Sequence, residues 1–274
     1  MRRSRRAAFI QTALLCLLAG FALFPLLWMV SVSLMQPGEA SRFPPPFLPA
    51  APGLSAYRAL FETTGIARYF LNSLFVASLG TLLSLLFNAT AGYAFAKLRF
   101  KGRDRIFQLL LAALVIPGQV TMLPLFLMLK ELGLINTFAG VLVPVTASIF
   151  GIFLVRQYAM SIPDELLEAA RVDGAGEGRI FVQIVVPALT PILITLALFT
   201  FLGTWNDFMW PLIVLVDQDL YTLPVALAAL SREHVQDNEL MMAGSVLTIL
   251  PVLLLFFVLQ RYYMQGLLAG SVKG

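Results

Sequence analysis

Apolar residues in this chain run on in long unbroken blocks and stop abruptly at short polar islands, without the half-polar face of a soluble helix. Blocks at 8–34, 69–96, 106–129, 138–159, 182–203 and 241–263 each supply the roughly 20 apolar residues that a helix needs to cross a hydrocarbon core. The pattern predicts an all-α membrane protein with six transmembrane helices. A seventh stretch, FMWPLIVLV at 208–216, is too short to span by itself. It is expected either to extend the fifth helix or to lie at the outer interface.

The islands divide the chain further. MRRSRR precedes an apolar run that continues to about Val32, longer than the roughly 7–15 residues of a cleavable signal core, so a retained signal anchor is expected. The segment about 35–68 contains FPPPFLPAAPG and is expected to start extended, with little regular structure. Residues 1–68 thus read as one helix and a Pro-rich loop, and 69–274 as the core with five helices. Pro187 and Pro191 sit four apart at the start of the fifth helix, where a missing N–H predicts a kink, whether tolerated or mechanical.

The segment 160–181 is the most polar island inside the core. Ser161-Ile162-Pro163-Asp164 reads as a helix start with a serine N-cap, and Asp164, Glu165 and Glu168 load its N-terminal half with negative charge. Arg171 comes late, as the helix dipole favours. Leu166, Ala169, Ala170 and Val172 are expected to form an apolar stripe. Gly174 is placed to end the helix, and a new helix is expected near Arg179. Physically this segment is either an interfacial helix on lipid headgroups or a docking surface for a protein; its acids favour the protein.

Charge decides the orientation. With the N-terminus inside, inner segments hold fourteen of the 19 basic residues, which places both termini in the cytoplasm. Charged residues are 12% of the chain and the mean hydropathy is +0.86. A net charge of +4 without a basic face on a folded domain gives no reason to expect nucleic acid as a partner. Cys16 is the single cysteine and His234 the single histidine, which argues against disulfides, multi-histidine metal sites and histidine-paired nucleophiles.

Other polar residues carry two readings each. Asn72, Asn88 and Gln119 lie in apolar spans and are expected to face the bundle interior, as assembly contacts or as pathway lining. Trp205 and Trp210 fit an outer aromatic belt. Between them, Asn206 and Asp207 either cap a helix or face a translocation path, with Gln119 a further path candidate.

Several stretches resemble one family. E168-A169-A170, then D173-G174-A175, then Phe181 and Pro187…Pro191, are similar to the EAA loop of permease subunits of ATP-binding-cassette importers. AGYAFAKLRFKGRD at 91–104, IPGQVTMLPLFLMLKELGLINT at 116–137, WNDFMWPLIV at 205–214 and GLLAGSVKG at 266–274 resemble the maltose-permease-like second subunit of the sugar-import branch. The resemblance covers about residue 70 to the end.

It implies a type I importer permease fold in the cytoplasmic membrane, with a cytoplasmic coupling helix between spans 4 and 5. Glu168, Ala169, Ala170, Asp173 and Gly174 are then the residues that meet an ATPase subunit. Further implied partners are a second homologous permease, a cytoplasmic ATPase dimer and an extracytoplasmic solute-binding protein. The outer segment 217–240, with Arg232, Glu233 and His234, is the implied contact for that binding protein. No G-x-x-x-x-G-K-[ST] loop occurs, so ATP and magnesium are expected on the partner and no cofactor on this chain. The competing readings are a membrane-embedded lipid-modifying enzyme, needing an acid–base or metal cluster, and a self-contained secondary carrier, needing inverted repeats.

Overall fold

Hydrocarbon offers the backbone no hydrogen-bond partners, and helices are the only regular structure among the described residues. The computed structural model describes residues 5–233 and 237–271. Gln11–Ser33, Ile66–Lys97, Phe138–Ala159, Glu177–Trp205 and Asn238–Val258 are each long and apolar enough to cross a membrane.

The remaining span differs from expectation. Instead of one straight helix over 106–129, the chain forms α4 (Arg103–Ala113) and α5 (Gly118–Glu131), bent by 107° at the intervening residues. Ile116 precedes a proline, which disfavours its helical conformation, and Pro117 stands extended at ψ 134° with no N–H to continue the ladder. Counting this pair as one, six spans result.

Two units can be distinguished, and we take each separately. The first contains the described residues to Ala67 together with Ala226–Pro251. Its elements are α1 (Arg5–Ser33), α2 (Ser55–Thr63) and the adjoining parts of α12 (Leu223–Glu233) and α13 (Asn238–Ser271). The Pro-rich loop is irregular and is organised around Glu39, a buried carboxylate that accepts from Gln36 N at 3.0 Å and Ala50 N at 2.7 Å. These backbone donors hold the Glu39 carboxyl below its ordinary range. Glu239, also buried, accepts from Ala40 N at 2.9 Å and so ties the first turn of α13 to the same loop.

The second unit runs from Arg68 to Val225 and resumes at Val252. Its axis is α3 (Ile66–Lys97), whose small residues admit close neighbours. A Cβ on Gly92 would lie 2.6 Å from Val155 Cγ1, and one on Gly80 would lie 3.3 Å from Leu142 Cδ2. The facing span is interrupted between α6 (Phe138–Thr146) and α7 (Ile149–Ala159). Asn88, fully buried as expected, accepts Ser148 N at 3.0 Å and donates to Ser84 Oγ at 2.7 Å. Asn72 instead donates to the loop carbonyls of Asp219 and Tyr221, and Gln119 is exposed in the first turn of α5.

The fifth span ends with α10 (Val186–Trp205), and residues 208–216 do not continue it; they contain a separate short helix, α11 (Met209–Val214). Trp205 and Trp210, expected in an outer aromatic belt, are instead buried inside the unit. Trp205 is buried between Phe201, stacked at 5.9 Å, and Phe70, edge-on at 5.5 Å. Trp210 is buried as well and donates Nε1–H to Gly140 O at 3.2 Å.

Candidate functional site

The polar island at 160–181 folds as α8 (Asp164–Val172), a glycine turn and α9 (Glu177–Ile180), which leads into the fifth span. The serine cap is not formed. Pro163 occupies the N-cap position without a side-chain bond, and Ser161 Oγ donates back to Tyr158 O at 2.7 Å, closing the end of α7. Extended geometry at Pro163 (ψ 133°) starts the helix one residue later, at Asp164. Asp164 and Glu165 then lie in the first turn and Arg171 in the last, the charge order that the helix dipole favours.

The apolar stripe is also placed differently. Leu167 is 1% exposed and seats in a core with Tyr93, Val155, Ala159, Ile162 and Ile180, while Ala170, one turn on, packs against its edge. Leu166 and Val172 are 48% and 87% exposed, and Ala169 is exposed beside them. Two apolar stripes therefore share one short helix: one holds it to the membrane domain and the other faces outward with Glu165 and Glu168. Glu165, Glu168 and Asp173 form no ion pair among the described residues.

The helix ends as Gly174 predicts. Gly174 has φ +81°, its N–H bonds Arg171 O at 3.0 Å, and Ala175 N bonds Ala170 O at 2.9 Å, the paired pattern of a Schellman stop. With no side-chain conflict around it, this turn reverses the chain and brings Glu177 back beside Arg171, Nε to Oε1 at 2.7 Å.

Two ties join the island to the end of α3. Tyr93 donates its hydroxyl to Glu177 Oε2 at 3.0 Å. Lys97, its side chain only 7% exposed, donates Nζ–H to Ile162 O and to Asp164 Oδ1, both at 2.6 Å. The Lys97 hydrogen bond and charge hold the Asp164 carboxyl below its ordinary range, and Glu177 raises the Arg171 guanidinium further. In the sequence Lys97 counts only among the inner basic residues that set the orientation, and nothing local marks Tyr93 or Glu177 as its neighbours in the fold. Tyr93 and Lys97 do sit inside the AGYAFAKLRF stretch, but their partners lie 84 and 67 positions away.

Beyond the island the chain enters a π-helical turn, Phe181–Val185, with Val186 N bonded to Phe181 O five residues back. Pro187, without an N–H, follows at once, and the wider turn absorbs the interrupted ladder. The kink expected at Pro187 and Pro191 does not divide the helix: Glu177–Trp205 continues as one span.

The other candidate residues are dispersed. Asn206 Nδ2 donates to Leu202 O at 2.8 Å in its own helix, and Asp207 Oδ1 accepts Trp210 N at 3.4 Å at the start of α11. No hydrogen bond joins Gln119 to either among the described residues. Arg232 is exposed and Glu233 ends α12, whereas His234 lies outside the described residues.

A family model described as "binding-protein-dependent transport system inner membrane component" matches residues 88–268. The chain is 39% identical over 264 residues to the arabinooligosaccharides transport system permease protein AraQ of Halalkalibacterium halodurans, covering 94% of this chain and 93% of that protein. It is 35% identical over 271 residues to the lactose transport system permease protein LacG of Rhizobium radiobacter, covering 99% and 98%. Among solved structures it resembles a chain of a bacterial ABC transporter involved in the import of the acidic polysaccharide alginate. The TM-score there is 0.85 at 26% identity, over 96% of this chain and 98% of that one.

Proposed function

We propose, because this chain belongs to the family of binding-protein-dependent transport system inner membrane components, that it carries a sugar or related polyol across the cytoplasmic membrane by alternating access. It is the permease subunit, and its work is driven by ATP hydrolysed on a separate subunit. The named specificities of its relatives, arabinooligosaccharides and lactose, support a carbohydrate cargo. The full machine pairs it with a second permease of the same fold, two ATPase copies and an extracytoplasmic binding protein, the last supported by the family description itself.

The observation that carries this reading is the outward face of α8. Leu166, Ala169 and Val172 stand exposed beside Glu165 and Glu168 on a helix whose opposite side is packed into the membrane domain. An apolar strip rimmed by unpaired carboxylates suits a protein cleft with a basic group better than anionic lipid. We read α8 as the coupling helix, with Glu168, Ala169, Ala170, Asp173 and Gly174 forming or shaping the contact with the ATPase. Asn206, Asp207 and Gln119 remain candidates for the path, and Arg232, Glu233 and His234 for binding-protein contact. ATP and magnesium belong to the partner.

Reversing the charge at one position tests it. In Glu168→Lys, insertion and stability of the chain are retained while co-purification with the ATPase or binding-protein-stimulated ATP hydrolysis is lost. Full stimulation with normal association would sink the coupling role. Both termini lie on the cytoplasmic side in this reading. In a Cys16→Ser background an impermeant maleimide labels Lys101→Cys only in inverted vesicles and Asp217→Cys only in right-side-out ones; the opposite pattern reverses the topology.

A further inference from the structure

We propose that Tyr93 and Lys97 are positioning residues that clamp the coupling helix to the inner end of α3, so that ATPase closure moves α3 and the fifth span as one body. The inference rests on the coupling role given to α8, but concerns residues outside the motif that suggested it.

The chain path alone does not require such a body. Covalently, the island continues only into α7 on one side and into α9 and the fifth span on the other. A load on α8 would reach the fifth span through Gly174, Gly176 and Gly178, three glycines within five residues. Such a connector transmits force poorly unless something braces it.

The brace is polar and has two feet. At the entry to α8, the Lys97 ammonium bonds the Ile162 carbonyl and the Asp164 carboxylate, both at 2.6 Å, and so grips the backbone before the helix and its first side chain together. At the exit, Tyr93 OH and Arg171 Nε hold the two oxygens of Glu177 at 3.0 and 2.7 Å. Glu177 lies past the glycine turn, so this second foot spans the connector and closes it. Tyr93 and Lys97 are four apart on α3, one above the other on the same helical face. Between the feet, Leu167 fills the core beneath α8 at 1% exposure.

The apolar contact supplies adhesion without direction, whereas the two charged ties fix where both ends of α8 sit relative to α3. Arg156 adds a brace between α3 and α7, with Nε donating to Phe95 O at 3.2 Å and its guanidinium 4.1 Å above the Phe107 ring. Load on α8 is thereby delivered to α3 directly.

The test uses the assembled complex of this chain with its companion permease and ATPase, in lipid nanodiscs. Spin labels on Phe100→Cys, after α3, and Arg179→Cys, in α9, are introduced in a Cys16→Ser background. Their distance is read in the nucleotide-free state and after trapping with ATP, magnesium and vanadate. The clamp predicts one narrow distance in both states. Lys97→Gln with Tyr93→Phe broadens it and shifts it on trapping by on the order of a helical turn, about 5 Å. Lys97→Arg, which retains the donor, restores the narrow distance.

A shift in the unmodified pair, or an unmoved distance in the double variant, overturns the proposal. If the double variant does not assemble, Lys97→Gln and Tyr93→Phe are measured singly under the same criteria. If the parent complex cannot be trapped although it assembles, the coupling reading itself fails, and that outcome is distinct from both.

Discussion

Asn88 accepts the backbone N–H of Ser148 at 3.0 Å across the interior of the membrane domain, at the point where the fourth span breaks between α6 and α7. Ser148 in turn receives Gly151 N on its hydroxyl at 2.9 Å, so the broken helix restarts with its first donors satisfied. Asn88→Leu leaves the partly buried Ser148 N–H without this partner. The expected cost is about 1–3 kcal/mol, read as a lower thermal unfolding midpoint of the detergent-purified chain. An unchanged midpoint would show that the break is held by packing alone.

Gly92 is a point of close approach between α3 and α7. An added Cβ would meet Val155 Cγ1 at 2.6 Å and Arg156 N at 3.0 Å, the second being backbone that cannot rotate away. Gly92→Ala is expected to destabilise by about 1–3 kcal/mol. Adding Val155→Ala should recover only part of this, since Val155 Cβ remains at 2.7 Å. Gly203, with nothing within 4 Å, serves as the control, and Gly203→Ala should leave the melting curve in place.

At Gly174 the backbone, not space, sets the constraint. Its φ of +81° is left-handed, and nothing lies within 4 Å of an added Cβ. Gly174→Val is expected to cost about 1–2 kcal/mol locally and to release the two bonds of the helix stop. Hydrogen exchange at Gly174 and Ala175 should accelerate, while Gly174→Asn, more tolerant of this region, should stay near the parent rate.

Acid should loosen the entry tie. Lys97 holds the Asp164 carboxyl below its ordinary value of 3.8, so the ionised, bonded form is favoured in the folded chain. The resulting stabilisation is complete well above that value and is lost as pH falls through the depressed one. A spin label on Leu166→Cys should gain mobility only at such acid pH. With Asp164→Asn it should be more mobile throughout and lose that titration. An identical titration in both would assign the change to another group.

Much of this molecule is legible as sequence because lipid imposes simple rules. Long apolar blocks locate the spans, and the 160–181 segment carries a helix with an acidic start and a glycine stop in its own residues. Misreadings occur where one residue type serves two settings. Ser161 is an equally good N-cap for α8 and a partner for the end of α7, and the second prevails. Trp205 and Trp210 suit an interface, yet their large apolar surface is accommodated inside the unit beside Phe70 and Gly140. The 116–118 triplet Ile-Pro-Gly carries the signal for the 107° bend, although hydropathy averaged along the block conceals it.

The sequence by itself determined the class, the family and the places of the long apolar blocks, because these follow from local composition and from motifs contiguous in the chain. It also placed a short polar helix in the 160–181 segment, found at Asp164–Val172. Which side of that helix faces the domain was decided only by tertiary structure. Leu166 and Leu167 are adjacent and chemically alike, yet one is 48% and the other 1% exposed. The difference arises because Leu167 meets a core drawn from Tyr93, Val155, Ala159, Ile162 and Ile180, residues contributed by other segments of the chain, and Leu166, about 100° round the helix, does not. Local pattern determines that a helix forms; long-range ties, formed once the spans pack, determine what that helix presents to a partner.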